Sequence, residues 1–483
     1  MFGPDLIATL PLLILAGWSC GLLLQDVFLP ARRRGLTPLL AALGLLASMV
    51  PLVMGFGRSQ TAFGGMIVAD GFASFVGLLT LAVGLGGIAL AYDYIRRMGI
   101  ERGEYYSLLL FSLTGIVLMA YAGDLIIVFL ALELLSIPLY VLSGFAVPRL
   151  ESEEAGLKYF LLGAFASGFV LYGIALTFGA TGTTRLSQIV EAIGTGVESP
   201  GLLAMGLGLI LVGLGFKVAA VPFHMWTPDV YHGAPSAVVG FMSAGAKVGG
   251  FAALLRVLLS AFPGLAGTWA TAAAVVAALT MIWGNVAAIA QPGIKRLLAY
   301  SSIAHAGYLL MALASSTRPE FGAQAVSAAL YYLVAYAITN LGAWAVVVAM
   351  EKAEGGGTEL EDYAGLASRR PGLALAMAVF MLSFTGVPPT IGFLGKFYLF
   401  RATLDAGQVW LALVGVLTSL VSAYYYLRVV VMMFMRPGAP ITRSESWLNL
   451  TVGLTALGTV AFGILPGPLL ALAGRAGLFT ALP

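Results

Sequence analysis

Cysteine and histidine are scarce in this sequence, which restricts the metal and redox chemistry available to it. Among 483 residues there is one cysteine, Cys20, and there are three histidines. A disulfide, a zinc site or an iron–sulfur cluster needs more cysteines, and no CxxCH haem-attachment motif occurs. A haem held by histidines on facing helices is the alternative. We expect instead that this chain carries no redox centre and no cofactor of its own.

Charged residues are also few. They make up 10% of the sequence against 60% for hydrophobic residues, and the mean hydropathy is +0.97. A soluble domain carries roughly 25% charged residues. The sequence therefore predicts a polytopic membrane protein embedded in the lipid bilayer. The net charge of +3, without a basic run interleaved with aromatics, gives no indication of nucleic-acid binding.

Nucleotide-binding and hydrolytic motifs are missing as well. No GxxxxGK[ST], GxGxxG, HExxH or GxSxG stretch occurs in a fitting context. We therefore expect neither a nucleotide pocket nor a hydrolytic site in this chain.

Long apolar runs organise the chain. A helix that crosses a bilayer needs about 20 mostly apolar residues. Fourteen runs of this kind occur, at about 4–24, 36–56, 70–91, 105–121, 124–147, 155–179, 201–230, 235–260, 268–290, 294–315, 323–350, 371–401, 408–435 and 446–473. The first run lacks a preceding basic region, so we interpret it as a spanning helix and not a cleaved signal peptide. An even number of spans places both termini on one side.

Basic residues between the spans predict the orientation. The loops after odd-numbered spans hold fourteen of them: Arg32, Arg33, Arg34, Arg96, Arg97, Arg102, Arg149, Lys295, Arg296, Lys352, Arg369, Arg370, Arg436 and Arg443. The opposite side holds five: Arg58, Arg185, Arg318, Arg401 and Arg475. Cytoplasmic loops are enriched in lysine and arginine. We therefore expect both termini to face outward, towards the periplasm.

Two spans contain residues that interrupt a helix. The breaking residues are Pro222 in the seventh span and Gly386, Pro388, Pro389 and Gly392 in the twelfth. Broken backbone is tolerated in a bilayer only where protein or a watery cavity satisfies it. Each of these spans also carries a lysine, Lys217 or Lys396. The spans lie five helices apart, and this odd offset makes them run in opposite directions, as inverted repeats require.

The resulting fold prediction is an all-α membrane protein with about fourteen transmembrane helices in four parts. Residues 1–104 hold spans 1 to 3, and residues 105–260 form a first five-helix repeat of spans 4 to 8. Residues 261–435 form a second, inverted repeat of spans 9 to 13. Residues 436–483 hold span 14.

Glu133 and Lys217 are the first candidate pair of ionisable groups. Glu133 lies nine residues past Asp124, about 13 Å along a helix axis and close to the bilayer centre. A carboxylate buried there needs a cationic partner to ionise, and Lys217 lies at comparable depth. A static ion pair is one interpretation. The functional one is that approach or withdrawal of the carboxylate changes how strongly the lysine holds its proton.

Other ionisable side chains have competing interpretations. Lys247 lies among small residues, in GFMSAGAKVGGF, that leave room for water. Lys158 shares a helix face with Glu154, four residues earlier, but could extend to the membrane surface instead. Arg256 and Arg428 lie near helix ends, and for both we expect the side chain to extend to the surface.

His224 and His305 are candidate proton relays between the lysines, because histidine titrates near neutral pH. The alternative is a hydrogen-bonded core histidine. His232 is more typical of a cap or surface residue. Lys295 and Tyr300, at the start of the tenth span, could face a path for protons from the cytoplasm, and Asp229 is placed similarly.

Five stretches together resemble a known family. They are GDLIIVFLALELLSIPLYVL, KYFLLGAFASGFVLYGIAL, GFKVAAVPFHMWTPDVYHGAPS, KRLLAYSSIAHAGY and GVPPTIGFLGKF. The sequence resembles the antiporter-like membrane subunits of respiratory complex I, strongly over residues 105–435 and more loosely at the flanks. The second stretch, a lysine in the twelfth span and no long lateral helix after the fourteenth are similar to the N type. The M type would carry a glutamate in the twelfth span, and the L type would extend well beyond the fourteenth.

The resemblance implies a site and a set of partners. Glu133 and Lys217 match the family's glutamate–lysine pair, Lys247 its central lysine and Lys396 its exit lysine. Further polar-axis or access positions are matched by Lys158, His224, Lys295, Tyr300 and His305. The resemblance also implies neighbours of the M type and the small K type in the membrane arm. FMN, the iron–sulfur clusters and quinone would belong to other subunits.

The resemblance thus implies a proton-translocating subunit of an NADH–quinone oxidoreductase in the inner (plasma) membrane. Protons would pass from the cytoplasm to Lys217 and Lys247, cross by His305 or water to Lys396, and leave outward. The alternatives are a subunit of a multisubunit sodium/proton antiporter or membrane-bound hydrogenase, and a scaffold that carries no protons.

Overall fold

α-Helices dominate the chain. The structure is a computed structural model, and it describes residues 3–28, 35–317, 322–353 and 355–478. Its helices are α1 (Pro4–Ala8), α2 (Leu10–Phe28), α3 (Thr37–Gly55), α4 (Gly71–Arg97), α5 (Glu104–Tyr121), α6 (Leu125–Ser143), α7 (Leu150–Thr181), α8 (Leu186–Thr195), α9 (Pro200–Val218), α10 (Trp226–Gly233), α11 (Ser236–Ala261), α12 (Ala266–Ile289), α13 (Ile294–Ser315), α14 (Gly322–Met350), α15 (Leu366–Arg369), α16 (Pro371–Thr385), α17 (Ile391–Asp405), α18 (Val409–Met435), α19 (Ser446–Ile464) and α20 (Gly467–Arg475). A small antiparallel hairpin pairs β1 (Gln60–Ala62) with β2 (Ile67–Ala69).

The prediction of fourteen spanning helices is confirmed. Thirteen helices of the described chain are long and apolar enough to cross a membrane, and the remaining predicted span is divided between α16 and α17. The narrowest predicted boundary, at residues 122–124, separates α5 from α6. Asp124 begins α6 as a helix cap, because its carboxylate accepts a hydrogen bond from the backbone N–H of Ile126 at 2.8 Å.

Both predicted helix breaks are present. The seventh span consists of α9 and α10, and Ala219 ends its first half in the left-handed conformation, with φ of 62°. The twelfth span consists of α16 and α17, and Gly386 ends its first half with φ of 91°. The relation between residues 105–260 and 261–435 as inverted repeats stays a prediction.

Three helices form the centre of the fold. The apolar stretch of α11 is completely buried, and those of α13 and α14 are 94% buried. The corresponding stretches of α2, α3 and α19 are only 22–33% buried, so these helices form part of the outer layer. Because α11 carries Lys247 and α13 carries His305, both side chains lie deep inside the protein.

Arg256 does not extend to the membrane surface, so that prediction is wrong. Its guanidinium is 1% exposed and binds the Asp70 carboxylate through both oxygens, at 2.6 and 2.8 Å. It also donates to the Ala120 carbonyl and lies 4.9 Å from the centre of the Phe72 ring. Since Asp70 caps α4 and Ala120 lies in α5, Arg256 fastens α11 to both helices.

Arg428 differs from the prediction as well. Its guanidinium donates to the carbonyls of Ile289 and Gln291, where α12 ends. The last carbonyls of a helix have no partner within that helix, so a neighbouring arginine satisfies them. Two arginines expected to reach the surface therefore bind other helices.

Four of the basic residues that predict the orientation lie outside the described residues. Arg32, Arg33, Arg34 and Arg318 belong to the undescribed positions. The side of the membrane on which the termini lie stays a prediction.

The buried Arg256–Asp70 pair leads to a stability prediction. Replacing Arg256 with leucine leaves the Asp70 carboxylate without its main counter-charge, and should lower the free energy of unfolding by about 3–5 kcal/mol. Chemical unfolding in detergent micelles measures the change. The matched control is Arg401→Leu, because the Arg401 side chain is 60% exposed and its contact with Asp405 is a long one, at 3.7 Å. That variant should change stability by at most about 1 kcal/mol. Equal effects of the two variants would contradict the structural role of Arg256.

Candidate functional site

Lys217 lies in the last turn of α9, directly before the first helix break. Its side chain is 4% exposed, and its ammonium donates to Ser136 Oγ at 2.8 Å and to Tyr159 Oη at 3.3 Å. These hydroxyls belong to α6 and α7, so the lysine joins three helices. Both of its hydrogen-bond partners are neutral.

Glu133 lies on the same face of α6 as Ser136, one turn earlier. Its charge acts on Lys217, yet no ion pair within 4.0 Å joins the two in the described structure. Glu133 Oε1 is buried, and within the described chain it has no hydrogen-bond partner. The two predicted residues are thus neighbours in a separated arrangement.

A missing side chain allows α9 to approach α11. Gly250 lies one turn after Lys247 on α11, and a Cβ atom built there would lie 3.5 Å from Lys217 Cγ and 2.7 Å from Val218 Cγ1. The stem of Lys217 therefore packs beside the turn that follows Lys247. This contact places the stem of Lys217 against the helix that carries Lys247.

Lys247 contacts α13 and α14. Its ammonium donates to the backbone carbonyl of Ser302 and lies 5.2 Å from the centre of the Tyr336 ring. The Tyr336 hydroxyl in turn donates to Ser302 Oγ at 2.8 Å. Carbonyl, hydroxyl and ring face stabilise the lysine without a carboxylate.

His305 lies at the centre of a cluster of tyrosines. Its Nδ1 is 2.5 Å from Tyr332 Oη, and its Nε2 is 3.1 Å from Tyr426 Oη. The charges of Lys247 and Lys396 both act on the imidazole. Since each ring nitrogen contacts a hydroxyl that can donate or accept, the imidazole can take a proton on one side and release one on the other.

Lys396 closes the second helix break. Its ammonium donates to the carbonyls of Phe384 at 2.7 Å and Thr385 at 3.1 Å, and to Ser419 Oγ at 2.8 Å. These carbonyls belong to the last turn of α16, where no further turn of helix can satisfy them. The partial negative charge of a helix C-terminus favours a cation at this position.

Known proteins share this architecture. Residues 122–422 match the family described as NADH:quinone oxidoreductase/Mrp antiporter, TM. The chain is 47% identical over 481 residues to NADH-quinone oxidoreductase subunit N of Chloroflexus aggregans, covering 98% of this chain and 97% of that one. The chain therefore belongs to the NADH:quinone oxidoreductase/Mrp antiporter family. It is also 39% identical to a chain of respiratory complex I from Thermus thermophilus with bound aureothin, with a TM-score of 0.82 and coverage of 96% and 99%.

A more distant structure in the comparison shares the fold alone. A chain of the Mrp complex from Dietzia sp. DQ12-45-1b is 23% identical to this one, with a TM-score of 0.84 and coverage of 97% of each chain.

Two predicted residues of this family member lie away from the three central lysines. Lys158 is bound by Glu154 and Asp229, each at 2.7 Å, and its side chain is 41% exposed. Among the described residues His224 has no hydrogen bond to a lysine: its ring lies 6.0 Å from that of exposed Trp283, and its buried Nδ1 has no partner there. No contact in the described structure supports the predicted relay through His224.

The two residues predicted for proton access from the cytoplasm differ from each other. Lys295 is buried, donates to the Ala234 carbonyl at 2.8 Å and lies 3.9 Å from Glu351. Tyr300 is half-buried, and its hydroxyl makes no hydrogen bond within the described residues.

The hydroxyl groups of the site were not predicted from the sequence. They belong to Ser136, Tyr159, Ser302, Tyr332, Tyr336, Ser419 and Tyr426. Neutral hydroxyls are common in helices, so no charge singles them out. The available signal is spacing, since Ser136 follows Glu133 by three residues. The described residues contain no group of three or more histidine, cysteine, aspartate or glutamate side chains that could hold a metal ion.

Gly386 provides a test of the second break. A Cβ atom there would lie 3.1 Å from Lys396 Cδ, and φ of 91° disfavours any other residue. We expect Gly386→Ala to cost about 1–2 kcal/mol in backbone strain and to displace the ammonium from its carbonyls, which lowers proton pumping.

The matched control is Gly372→Ala in α16, where an added Cβ meets nothing within 4 Å. Thermal unfolding and proton pumping are measured for both variants. Normal pumping in Gly386→Ala would show that the position of Lys396 is not critical.

Proposed function

We propose that this chain moves protons through the membrane as a subunit of an NADH–quinone oxidoreductase, along an axis of Lys217, Lys247, His305 and Lys396. The observation that carries the proposal is a set of buried polar groups in the centre of the fold. Lys247 contacts Ser302, whose hydroxyl accepts from Tyr336. The His305 ring lies 5.3 Å from the Tyr336 ring and 5.0 Å from the Phe384 ring, and the Phe384 carbonyl accepts from Lys396. The family membership and the 47% identity to a subunit N agree with it.

The first step depends on the distance between Glu133 and Lys217. A carboxylate close to an ammonium stabilises its charge, and a distant one does not. The separation of the two groups and the neutral partners of Lys217 support a gate at this position. When Glu133 approaches, Lys217 retains a proton, and when it withdraws, the proton passes on to Lys247.

The crossing between the two halves goes through His305. The imidazole receives a proton from the side of Lys247 and releases one to the side of Lys396. Tyr332 and Tyr426 hold the ring in place and exchange hydrogen bonds as its protonation changes. Lys396 then releases the proton past Ser419 towards the outside.

The helix breaks support two related bundles, residues 105–260 and 261–435, with access from opposite sides. Each break ends its first half-helix in a left-handed residue, Ala219 or Gly386. The loops rich in basic residues face the cytoplasm in this arrangement, and both termini face outward.

The driving energy comes from other subunits. FMN, the iron–sulfur clusters and quinone belong to partner chains, and the neighbours in the membrane arm are of the M type and the K type. The high identity to a subunit N over nearly the whole chain favours this assignment over a sodium/proton antiporter, for which the reported likeness is one of fold.

Lys217→Ala tests the gate. The variant should assemble into the complex but fail to pump protons through this subunit, because no titratable amine remains beside Glu133. The number of protons moved per NADH oxidised, in vesicles containing the complex, measures the effect. The matched control is Arg401→Ala in α17, whose side chain is 60% exposed, and it should leave that ratio unchanged. A normal ratio in Lys217→Ala would refute the proposed function.

His305→Phe tests the crossing. Phenylalanine keeps an aromatic ring between the tyrosines but cannot hold a proton, so proton transfer between the two halves should slow by about 100-fold. Proton pumping is followed at fixed NADH, and His232→Phe serves as the control histidine variant. Unchanged pumping in His305→Phe would show that water alone carries the proton across.

A further inference from the structure

A second lysine–carboxylate pair lies outside the central axis, at the N-terminal end of α13. Glu351 follows directly after α14, and its backbone N–H still donates to the Val347 carbonyl at 2.9 Å. Its carboxylate lies 3.9 Å from the ammonium of Lys295, the second residue of α13. The side chains are 9% and 4% exposed, so the pair is buried, close to the exposed loop residues that follow α14.

Tyr94 of α4 positions the carboxylate. Its hydroxyl donates to Glu351 Oε2 at 2.8 Å and accepts from the backbone N–H of Ser236 at 3.0 Å. The tyrosine is 1% exposed. The Tyr94 hydroxyl therefore links the Glu351 carboxylate to Ser236, the first residue of α11. This helix also carries Lys247.

Two buried hydroxyl groups near this pair have no hydrogen-bond partner in the described chain. They are Ser236 Oγ and Tyr363 Oη. The charge of Glu351 acts on Tyr363, and that of Arg149 acts on both Tyr94 and Lys295. Buried hydroxyls without a protein partner are the usual binding sites of internal water.

The neighbouring residues connect the pair to both the surface and the axis. On one side, Lys352 is half-buried and Ala353 is exposed. On the other, Lys295 donates to the Ala234 carbonyl, and Ser302, the partner of Lys247, lies about 10 Å farther along α13. The pair therefore lies between solvent and the buried lysines.

We infer that Glu351 is the carboxylate that collects protons for this subunit and passes them to Lys295, with Tyr94 as its positioning residue. This rests on the proposed function and adds a residue to it. A proton from the solvent binds the carboxylate. Through one bridging water, or when the two groups approach to hydrogen-bond distance, the O–H bond breaks while an N–H bond forms on the Lys295 amine, which leaves a carboxylate beside an ammonium.

The test uses the whole complex in vesicles, with three variants of this chain. Glu351→Gln cannot take up a proton and should lower the rate of proton pumping by at least ~10-fold. Glu351→Asp retains a carboxylate and should remain within about twofold of the unmodified complex. Tyr94→Phe keeps the ring but loses the hydroxyl, so it should lie between the two. The control is Glu361→Gln, an exposed glutamate in the same loop region.

Two readouts separate proton uptake from a structural role. The amount of assembled complex should be equal in all variants. When the pH is varied on the side of the membrane that the loop after α14 faces, the pumping rate of Tyr94→Phe should follow a different pH profile from that of the unmodified complex. The groups that face Glu351 and contribute to this dependence are Lys295, Tyr94, Tyr363 and Arg149. If Glu351 had only a structural role, Glu351→Gln and Glu351→Asp would both reduce the amount of assembled complex. The pumping rate per complex would be unchanged, and this result would overturn the inference.

Lys217→Ala is measured beside these variants. Normal pumping in Glu351→Gln together with failure in Lys217→Ala overturns only the present inference. Normal pumping in both overturns the proposed function as well.

Discussion

Backbone groups inside a bilayer must find partners within the protein, and this constraint connects the two helix breaks to the lysines. Lys396 donates to two carbonyls left open at the end of α16, and Ser383 Oγ accepts from the N–H of Gly392 beyond the break. At the other break, Thr280 Oγ1 accepts from the N–H of Val221, and Trp226 Nε1 donates to the Phe216 carbonyl. Since lipid offers no hydrogen bonds, a broken helix requires polar side chains at the depth where a proton path also needs them.

The polar partners of the central lysines are neutral, which matters for transport. A contact ion pair would hold a proton on each lysine and leave a buried charge uncompensated whenever the partner moved. Lys217, Lys247 and Lys396 instead bind hydroxyls, carbonyls and ring faces. With Glu133 near but not in contact, the proposed gate at Lys217 requires only a small displacement of one carboxylate.

Local signals in the sequence predicted the fourteen spans, the two breaks and the lysines, because hydropathy and proline act within a single helix. Except for Glu133 and Lys217, partners that meet only in three dimensions were not predicted. Arg256 and Asp70 are 186 residues apart, so their pairing leaves no trace near either residue. His224 lies at a predicted break, but the sequence does not reveal that its ring turns towards Trp283. The short β1–β2 hairpin and the ten-residue helix α8 are too small to produce a clear pattern.

Arginines join helices in this structure, whereas lysines and a histidine form the proposed proton path. Arg256, Arg428 and Arg97 bind carboxylates or carbonyls that fasten helices together. Every cation of the proposed path is a lysine or a histidine. Arginine does not give up its proton in proteins, whereas a buried lysine can. The bidentate Arg256–Asp70 pair therefore suits a permanent joint, while the single, longer 3.9 Å contact between Lys295 and Glu351 suits the proton exchange that we infer there.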